Sequence, residues 1–220
     1  MHNTIRRLEV VTGCMFCGKT EELIRRLKRV RIAGRSFLLF KPTIDDRFGP
    51  SAVKTHDGYG LDGILLEPGK ETIDGLQFVV GYESMRLTSM GEVSSPEFIA
   101  KIQEVGERLL LEADVIAFDE GQFFSEKLTA LCEELVAMEK RVIVAGLDLT
   151  SSEELFGPMG SLMSFADRVD KLQAVCVKCG GTATRTQRID EHGDPIIGEQ
   201  PKIAVGGAES YEARCRDCHE

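Results

Sequence analysis

Leu8-Glu9-Val10-Val11-Thr12-Gly13-Cys14-Met15-Phe16-Cys17-Gly18-Lys19-Thr20 is the stretch whose reading decides the fold. Its first five residues have the apolar, β-branched character of a strand. The next eight match G-x-x-x-x-G-K-[ST] without a gap, the form of a phosphate-binding loop between a strand and a helix. From 19 to about 33, Leu23, Leu27 and Val30 recur at helical spacing among many Arg and Lys, and Gly34 is placed to end that helix. Strand, loop and helix therefore stand in the order the motif requires. Its glycines let backbone N–H groups converge on phosphate oxygens, and the helix start adds unpaired N–H groups and a positive dipole end. This reading assigns Gly13, Cys14, Met15, Phe16, Cys17, Gly18, Lys19 and Thr20 to ATP. Lys19 would span the β- and γ-phosphates, and the Thr20 hydroxyl would be a ligand of Mg²⁺.

Outward from this stretch, residues up to about 175 alternate short apolar runs with amphipathic segments. That pattern predicts an α/β fold with a mostly parallel sheet flanked by helices. Ser36 to Lys41 reads as a second strand stopped by Pro42, and 42–75, rich in Gly, Asp and Pro, as a loop region. Leu76-Gln77-Phe78-Val79-Val80 reads as a strand. Ser95-Pro96-Glu97 signals a helix start, and Ile99, Ile102, Val105, Leu109 and Leu110 supply that helix with one apolar face. Val115-Ile116-Ala117-Phe118 is the continuous apolar run of a strand buried on both faces. Leu128, Leu131, Leu135 and Met138 mark another helix. Arg141 to Gly146 gives a further strand, and Leu172 to Val175 a last one. After Val175 the composition shifts to Cys, Gly, Thr and Arg, which places a boundary between a domain of 1–175 and a smaller one of 176–220.

Asp119 and Glu120 follow the buried strand directly. Beside a phosphate-binding loop this is the position of the second metal-associated carboxylate, at the strand ends where open α/β sheets gather ligands. Asp119 is read into the Mg²⁺ shell, and Glu120 as the base that takes a proton from the attacking hydroxyl. Farther on, Cys176-Val177-Lys178-Cys179 and Cys215-Arg216-Asp217-Cys218 form two C-x-x-C pairs. Cys176, Cys179, Cys215 and Cys218 together offer four thiolates to a closed structural zinc site, whose binding would organise a segment poor in apolar residues. A third pair, Cys14 and Cys17, lies inside the phosphate loop. A helix N-terminus lowers a thiol's pKa, so a redox role is open there, but two small residues packed under the loop is the plainer reading.

The chain has 220 residues, 42% hydrophobic and 29% charged, with a net charge of −9 and no Trp. An acidic chain without Trp lacks both the electrostatic footprint and the stacking surface of a nucleic-acid binder. No apolar run approaches the ~18–20 residues of a membrane span, and the first residues lack the apolar core of a signal peptide. A cytoplasmic location is the expectation.

With these residues in place, the chain resembles the type II thymidine kinases, which join a RecA-like P-loop core to a small zinc-bearing lasso domain. The resemblance covers nearly the whole chain. It is carried by the loop 13–20 followed by Glu21-Glu22-Leu23-Ile24-Arg25-Arg26, and by Asp119-Glu120-Gly121-Gln122-Phe123-Phe124. Val142-Ile143-Val144-Ala145-Gly146-Leu147-Asp148, Lys171-Leu172-Gln173-Ala174-Val175-Cys176 and Gly206-Gly207-Ala208-Glu209-Ser210-Tyr211-Glu212 also carry it. The resemblance implies transfer of the ATP γ-phosphate to the 5′-hydroxyl of thymidine in deoxynucleoside salvage, and leaves deoxyuridine open beside thymidine. It matches Glu120 to the general base, Asp119 to the Mg²⁺-associated acid and Gln122 to the cofactor side. Met15, Phe123, Leu147 and Phe156 match the lining of the thymine pocket, and Tyr211 the lasso that covers the nucleoside. Thr55-His56-Asp57 resembles a segment near the phosphates. A homotetramer inhibited by thymidine triphosphate is implied as well. The chain departs from the pattern at Cys17, where Ser is usual; at Gly58, where some members carry Arg; at Ser151, where an aromatic is common; and in a longer stretch from 58 to 100. The competing reading is a RecA-like ATPase that uses the zinc unit as a binding module. A regulatory nucleotide binder with a degenerate site is opposed by intact Lys19, Thr20, Asp119 and Glu120.

Overall fold

The computed structural model describes residues 7–44, 52–54, 60–86, 96–198 and 207–220. The chain opens with β1 (Arg7–Thr12), α1 (Lys19–Ile32) and β2 (Phe37–Pro42), followed by the short strands β3 (Ala52–Lys54), β4 (Gly60–Asp62) and β5 (Ile64–Leu66). Helices α2 (Ile73–Arg86) and α3 (Pro96–Glu112) lead to β6 (Val115–Phe118), and then α4 (Lys127–Ala137) to β7 (Arg141–Gly146). After α5 (Met159–Phe165) and β8 (Arg168–Lys171) come four strands of a small C-terminal part: β9 (Ala174–Val175), β10 (Thr182–Ala183), β11 (Arg185–Arg188) and β12 (Tyr211–Arg214).

The main sheet has the order β5-β2-β6-β7-β1-β8, and every neighbouring pair runs parallel. Alternation along the central strands sorts its two faces. Val115, Ala117, Ile143 and Ala145 face the side covered by Leu23, Ile24, Leu27 and Val30 of α1. Ile116, Phe118, Val142 and Val144 face the other side, packed by Leu76 and Val80 of α2, Leu110 of α3, Leu128 and Leu131 of α4, and Leu162 of α5. Strands covered on both faces are why β6 and β7 read as unbroken apolar runs. No helix among the described residues is long and apolar enough to cross a membrane.

Four expectations are corrected here. The run 76–80 is not a strand but the middle of α2. Leu76 and Val80 are buried one helical turn apart while Phe78 is exposed, a distinction that five mostly apolar residues cannot make by periodicity alone. The region 42–75 is not only loop: β5 pairs with β2, placing Ile64 opposite Phe40, and β3 pairs with β4. The last strand of the main sheet is β8, not 172–175. Ala174 and Val175 instead pair with β10, because β8 already occupies the sheet edge beside β1. The apolar face of α3 holds at Ile102 and Leu110, but Ile99 is 40% exposed. Thr55, His56, Asp57, Gly58, Ser95 and Gly206 lie outside the described residues.

Among the polar groups buried in these layers, Glu9 is the centre of a charge cluster. Glu9 of β1 accepts hydrogen bonds from Arg26 of α1 at 2.7 Å, Arg7 at 2.5 Å and Arg141 of β7 at 2.6 Å. Arg26 also reaches Glu22 and Asp170. Burial alone would push the Glu9 carboxyl up, but hydrogen bonds and charge from Arg141 and Arg7 outweigh it and hold it below its ordinary value of 4.5. Glu9→Gln would leave the buried guanidinium of Arg26 short of countercharge, and a loss of roughly 3–5 kcal/mol by urea denaturation at pH 7 is expected. The carboxyl is depressed in the fold, so its contribution is complete above the ordinary value and disappears as pH falls through the lowered one. The gap between wild type and Glu9→Gln should therefore close on acidification; a gap constant with pH would contradict this account.

Candidate active site

The loop 13–20 joins β1 to α1 and bends where its sequence allows. Gly13 has φ +135°, and a Cβ there would come within 2.3 Å of the Leu172 carbonyl oxygen. Gly18, at φ 84°, begins α1. Lys19 is folded back over the loop, its ammonium donating to the Cys14 carbonyl at 2.7 Å and lying 3.8 Å from Cys17 Sγ. Interaction with Cys14 and the Lys19 charge bring Cys17 down to about 7, while interaction with Cys17 and burial push Cys14 up. Cys14 is 2% exposed, and Cys17 packs against the small cluster it belongs to.

The acidic pair comes from the end of β6. β7 lies between β6 and β1, so the two loops start about 10 Å apart, two strand spacings. Thr20, in the first turn of α1, closes that distance: its Oγ1 stands 3.4 Å from each carboxylate oxygen of Asp119. A hydroxyl and a carboxylate converging in this way make a hard oxygen donor set that suits Mg²⁺. Glu120 has φ 51°, a left-handed conformation uncommon outside glycine. Gln122 holds it, donating through Nε2 to the Glu120 carboxylate at 2.6 Å and accepting the Leu147 N–H on Oε1 at 2.9 Å. Phe123, in the following 3₁₀ turn, meets Phe156 edge to face with ring centres 5.5 Å apart. Glu120, Gln122, Phe123, Leu147 and Phe156 are thus brought together beyond the ends of β6 and β7.

Met15 is tied elsewhere, its N–H donating to Thr186 Oγ1 of β11 at 3.0 Å. Tyr211 opens β12 opposite Arg188, and burial raises its hydroxyl pKa. The sulfurs of Cys176, Cys179, Cys215 and Cys218 all lie within 4.8 Å of one another, with Cys179 and Cys215 3.7 Å apart. A tetrahedral zinc with Zn–S bonds of about 2.3 Å sets sulfurs about 3.8 Å apart, so the cluster fits that ion. Each pair closes a tight turn, Gly180 N–H to the Cys176 carbonyl and His219 N–H to the Cys215 carbonyl. Burial opposes ionisation of Cys176, but backbone N–H groups of Cys215, Cys179 and Lys178 bring it to about 6, towards the thiolate a metal needs. The His219 ring, the alternative ligand, instead donates Nε2–H to the Ser151 carbonyl at 3.0 Å.

Other residues at this site were not found from sequence. Asp148 is buried just past β7 and is paired with Lys171 at 2.5 Å. The signal that singled out Asp119, an acid after a buried strand, applies to it equally. Thr186 and Ala183 meet the site only through tertiary contact, and no local pattern marks them.

Comparison with known proteins bears on the whole chain. A family model described as thymidine kinase matches residues 6–79 and 82–219. A thymidine kinase of Haloquadratum walsbyi is 41% identical over 96% of this chain and 94% of its own length. One of Halobacterium salinarum is 39% identical over 96% and 93%. Among solved structures, the Pif1 helicase of Candida albicans aligns at 15% identity and a TM-score of 0.40, covering 76% of this chain and 36% of that one. That likeness is too slight to carry an argument.

Gln122 ties the turn after β6 to the residue after β7, so its removal has a measurable structural effect. Gln122→Ala leaves the Leu147 N–H unpaired, and a loss of about 1–3 kcal/mol in urea denaturation is expected. An unchanged midpoint would mean that the bridge does not form.

Proposed function

The chain belongs to the thymidine kinase family, and from that premise we propose that it transfers the γ-phosphate of ATP to the 5′-hydroxyl of thymidine. The observation that carries the mechanism is the approach of Thr20, from the start of α1, to Asp119, which Glu120 directly follows after β6. Backbone N–H groups of 13–20 receive the phosphates, and Lys19 turns from the Cys14 carbonyl to the β- and γ-oxygens. Thr20 and Asp119 would hold Mg²⁺, which would supply neutralisation of the charge that builds on the transferring group. Glu120 accepts the proton of the 5′-hydroxyl, and Gln122 fixes its carboxylate for that task. Met15, Phe123, Leu147 and Phe156 enclose the base, and Tyr211 covers the nucleoside. Keeping water out is part of the function, since water would compete as acceptor.

The same reading makes 176–220 a unit distinct from 1–175, organised by a structural zinc on Cys176, Cys179, Cys215 and Cys218. It also makes the protein a homotetramer of the cytoplasm. Both follow the family resemblance.

In a coupled assay, ADP release should rise on adding thymidine, and no rise would refute the kinase reading. Glu120→Gln should lower kcat by about 10²–10⁴-fold while ATP still binds, measured by titration of a fluorescent analogue. Full activity in that variant would remove Glu120 from the role of base. Metal analysis of protein purified without chelator should find one zinc per chain. Stripping the metal should unfold the C-terminal part, seen as fast amide exchange in β10–β12; retained protection after complete removal would overturn the structural role.

A further inference from the structure

The kinase mechanism gives no task to the paired thiols of the phosphate loop. We propose that Cys14 and Cys17 form a reversible disulfide that closes the loop to nucleotide. The geometry supports this on three counts. Cys14 belongs to one small buried cluster, and Cys17 packs against it. Cys17 Sγ is tucked into the hollow left by Gly13, where a Cβ would come within 2.9 Å of it. Lys19 Nζ stands 3.8 Å from the same sulfur, a cation placed to favour the thiolate. Cys17 is half-buried, whereas Cys14 is buried. The remaining described cysteines are otherwise placed. Cys132 is enclosed in the core packing of α4, and the other four form the metal cluster.

The oxidant is a low-molecular-weight disulfide, RSSR. The Cys17 thiolate attacks one sulfur, forming a Cys17–SR bond and expelling RS⁻. Cys14 then passes its proton to RS⁻ and attacks Cys17 Sγ, forming the intramolecular bond and expelling the second RS⁻, which is protonated by solvent. Two protein thiols are oxidised and RSSR is reduced to two RSH. A dithiol reverses both steps.

The bond inactivates because one end of the pair is anchored and the other is not. Cys14 Sγ donates to the Ala183 carbonyl at 3.5 Å, and the Met15 N–H donates to Thr186 Oγ1. A disulfide brings the sulfurs much closer than a hydrogen bond does. With Cys14 held against β10 and β11, the movement falls on Cys17 and Gly18, whose backbone leads into Lys19 and the start of α1. Those are the groups that must meet phosphate.

The proposal rests on reading 13–20 as the nucleotide loop but not on the identity of the acceptor. Zinc-loaded full-length protein is equilibrated with oxidised glutathione, digested and mapped by mass spectrometry, and ATP affinity is measured by titration before and after. A Cys14–Cys17 linkage is expected, with ATP binding weakened about tenfold to a hundredfold, the loss of one hydrogen bond to phosphate. Dithiothreitol should restore it, and the ratio of oxidised to reduced affinity should be one in Cys17→Ser, whatever that variant's own affinity. Thiols that remain free, or a linkage that leaves affinity unchanged, would overturn the proposal. So would an oxidative loss that persists in Cys17→Ser, which would assign the effect to the four C-terminal thiols. Reduced protein that fails to bind ATP would overturn the nucleotide reading first, and the proposal with it.

Discussion

The end of β7 is kept free of a side chain, and the site is built over that gap. β7 separates the strand that carries the phosphate loop from the strand that carries the acids, so both loops must reach across its last residue. That residue is Gly146. A Cβ there would come within 2.8 Å of Gln122 Oε1 and of Met159 Sδ. Thr12 of β1 donates to its carbonyl from one side at 2.9 Å, while Gln122 lies over it from the other. A larger residue would press on the Gln122 amide, which accepts the Leu147 N–H and donates to the Glu120 carboxylate.

A second constraint comes from the C-terminal part, which braces the loops the site depends on. Thr186 and Ala183 hold the phosphate loop at Met15 and Cys14. His219 holds Ser151, and Arg185 pairs with Glu153. Both latter contacts fall on the loop 148–156, which is closed by Thr150 N–H to the Glu154 carbonyl and ends at Phe156. Cys14 packs in one cluster with Cys176, Ala183 and Ala213. A metal in the four-cysteine cluster would order the strands that position both the phosphate loop and a wall of the aromatic pair, without touching either substrate.

What the sequence disclosed and what it hid follow from the range of the interactions involved. β1, its loop and α1 are contiguous, and each residue's task is set by near neighbours, so a short motif carries them. β6 and β7 are buried on both faces and cannot tolerate polar residues, which makes them equally plain. β8 is the opposite case. Arg168, Asp170 and Lys171 make it read as surface, because an edge strand is protected by charge rather than by apolar content. α2 escaped because its buried stripe, at Leu76 and Val80, lies within a run short enough to pass as a strand. At the site, Lys19, Thr20, Asp119 and Glu120 were legible from local pattern. The Gln122 bridge to Leu147, like the contacts of Thr186 and Ser151, exists only once distant segments are packed.

These ranges also explain why the departure at Cys17 was easy to read as neutral. Backbone N–H groups hold the phosphate, so a swap of one small side chain for another costs little by that local argument. The folded loop adds a term the motif cannot express. Cys17 packs in one cluster with a second thiol, and that thiol donates to the Ala183 carbonyl of the C-terminal part. A serine in the same place would keep the cradle but could not form a covalent link to Cys14. The substitution is silent for the phosphate contacts and decisive for whether the loop can be bridged from Cys14 to Cys17.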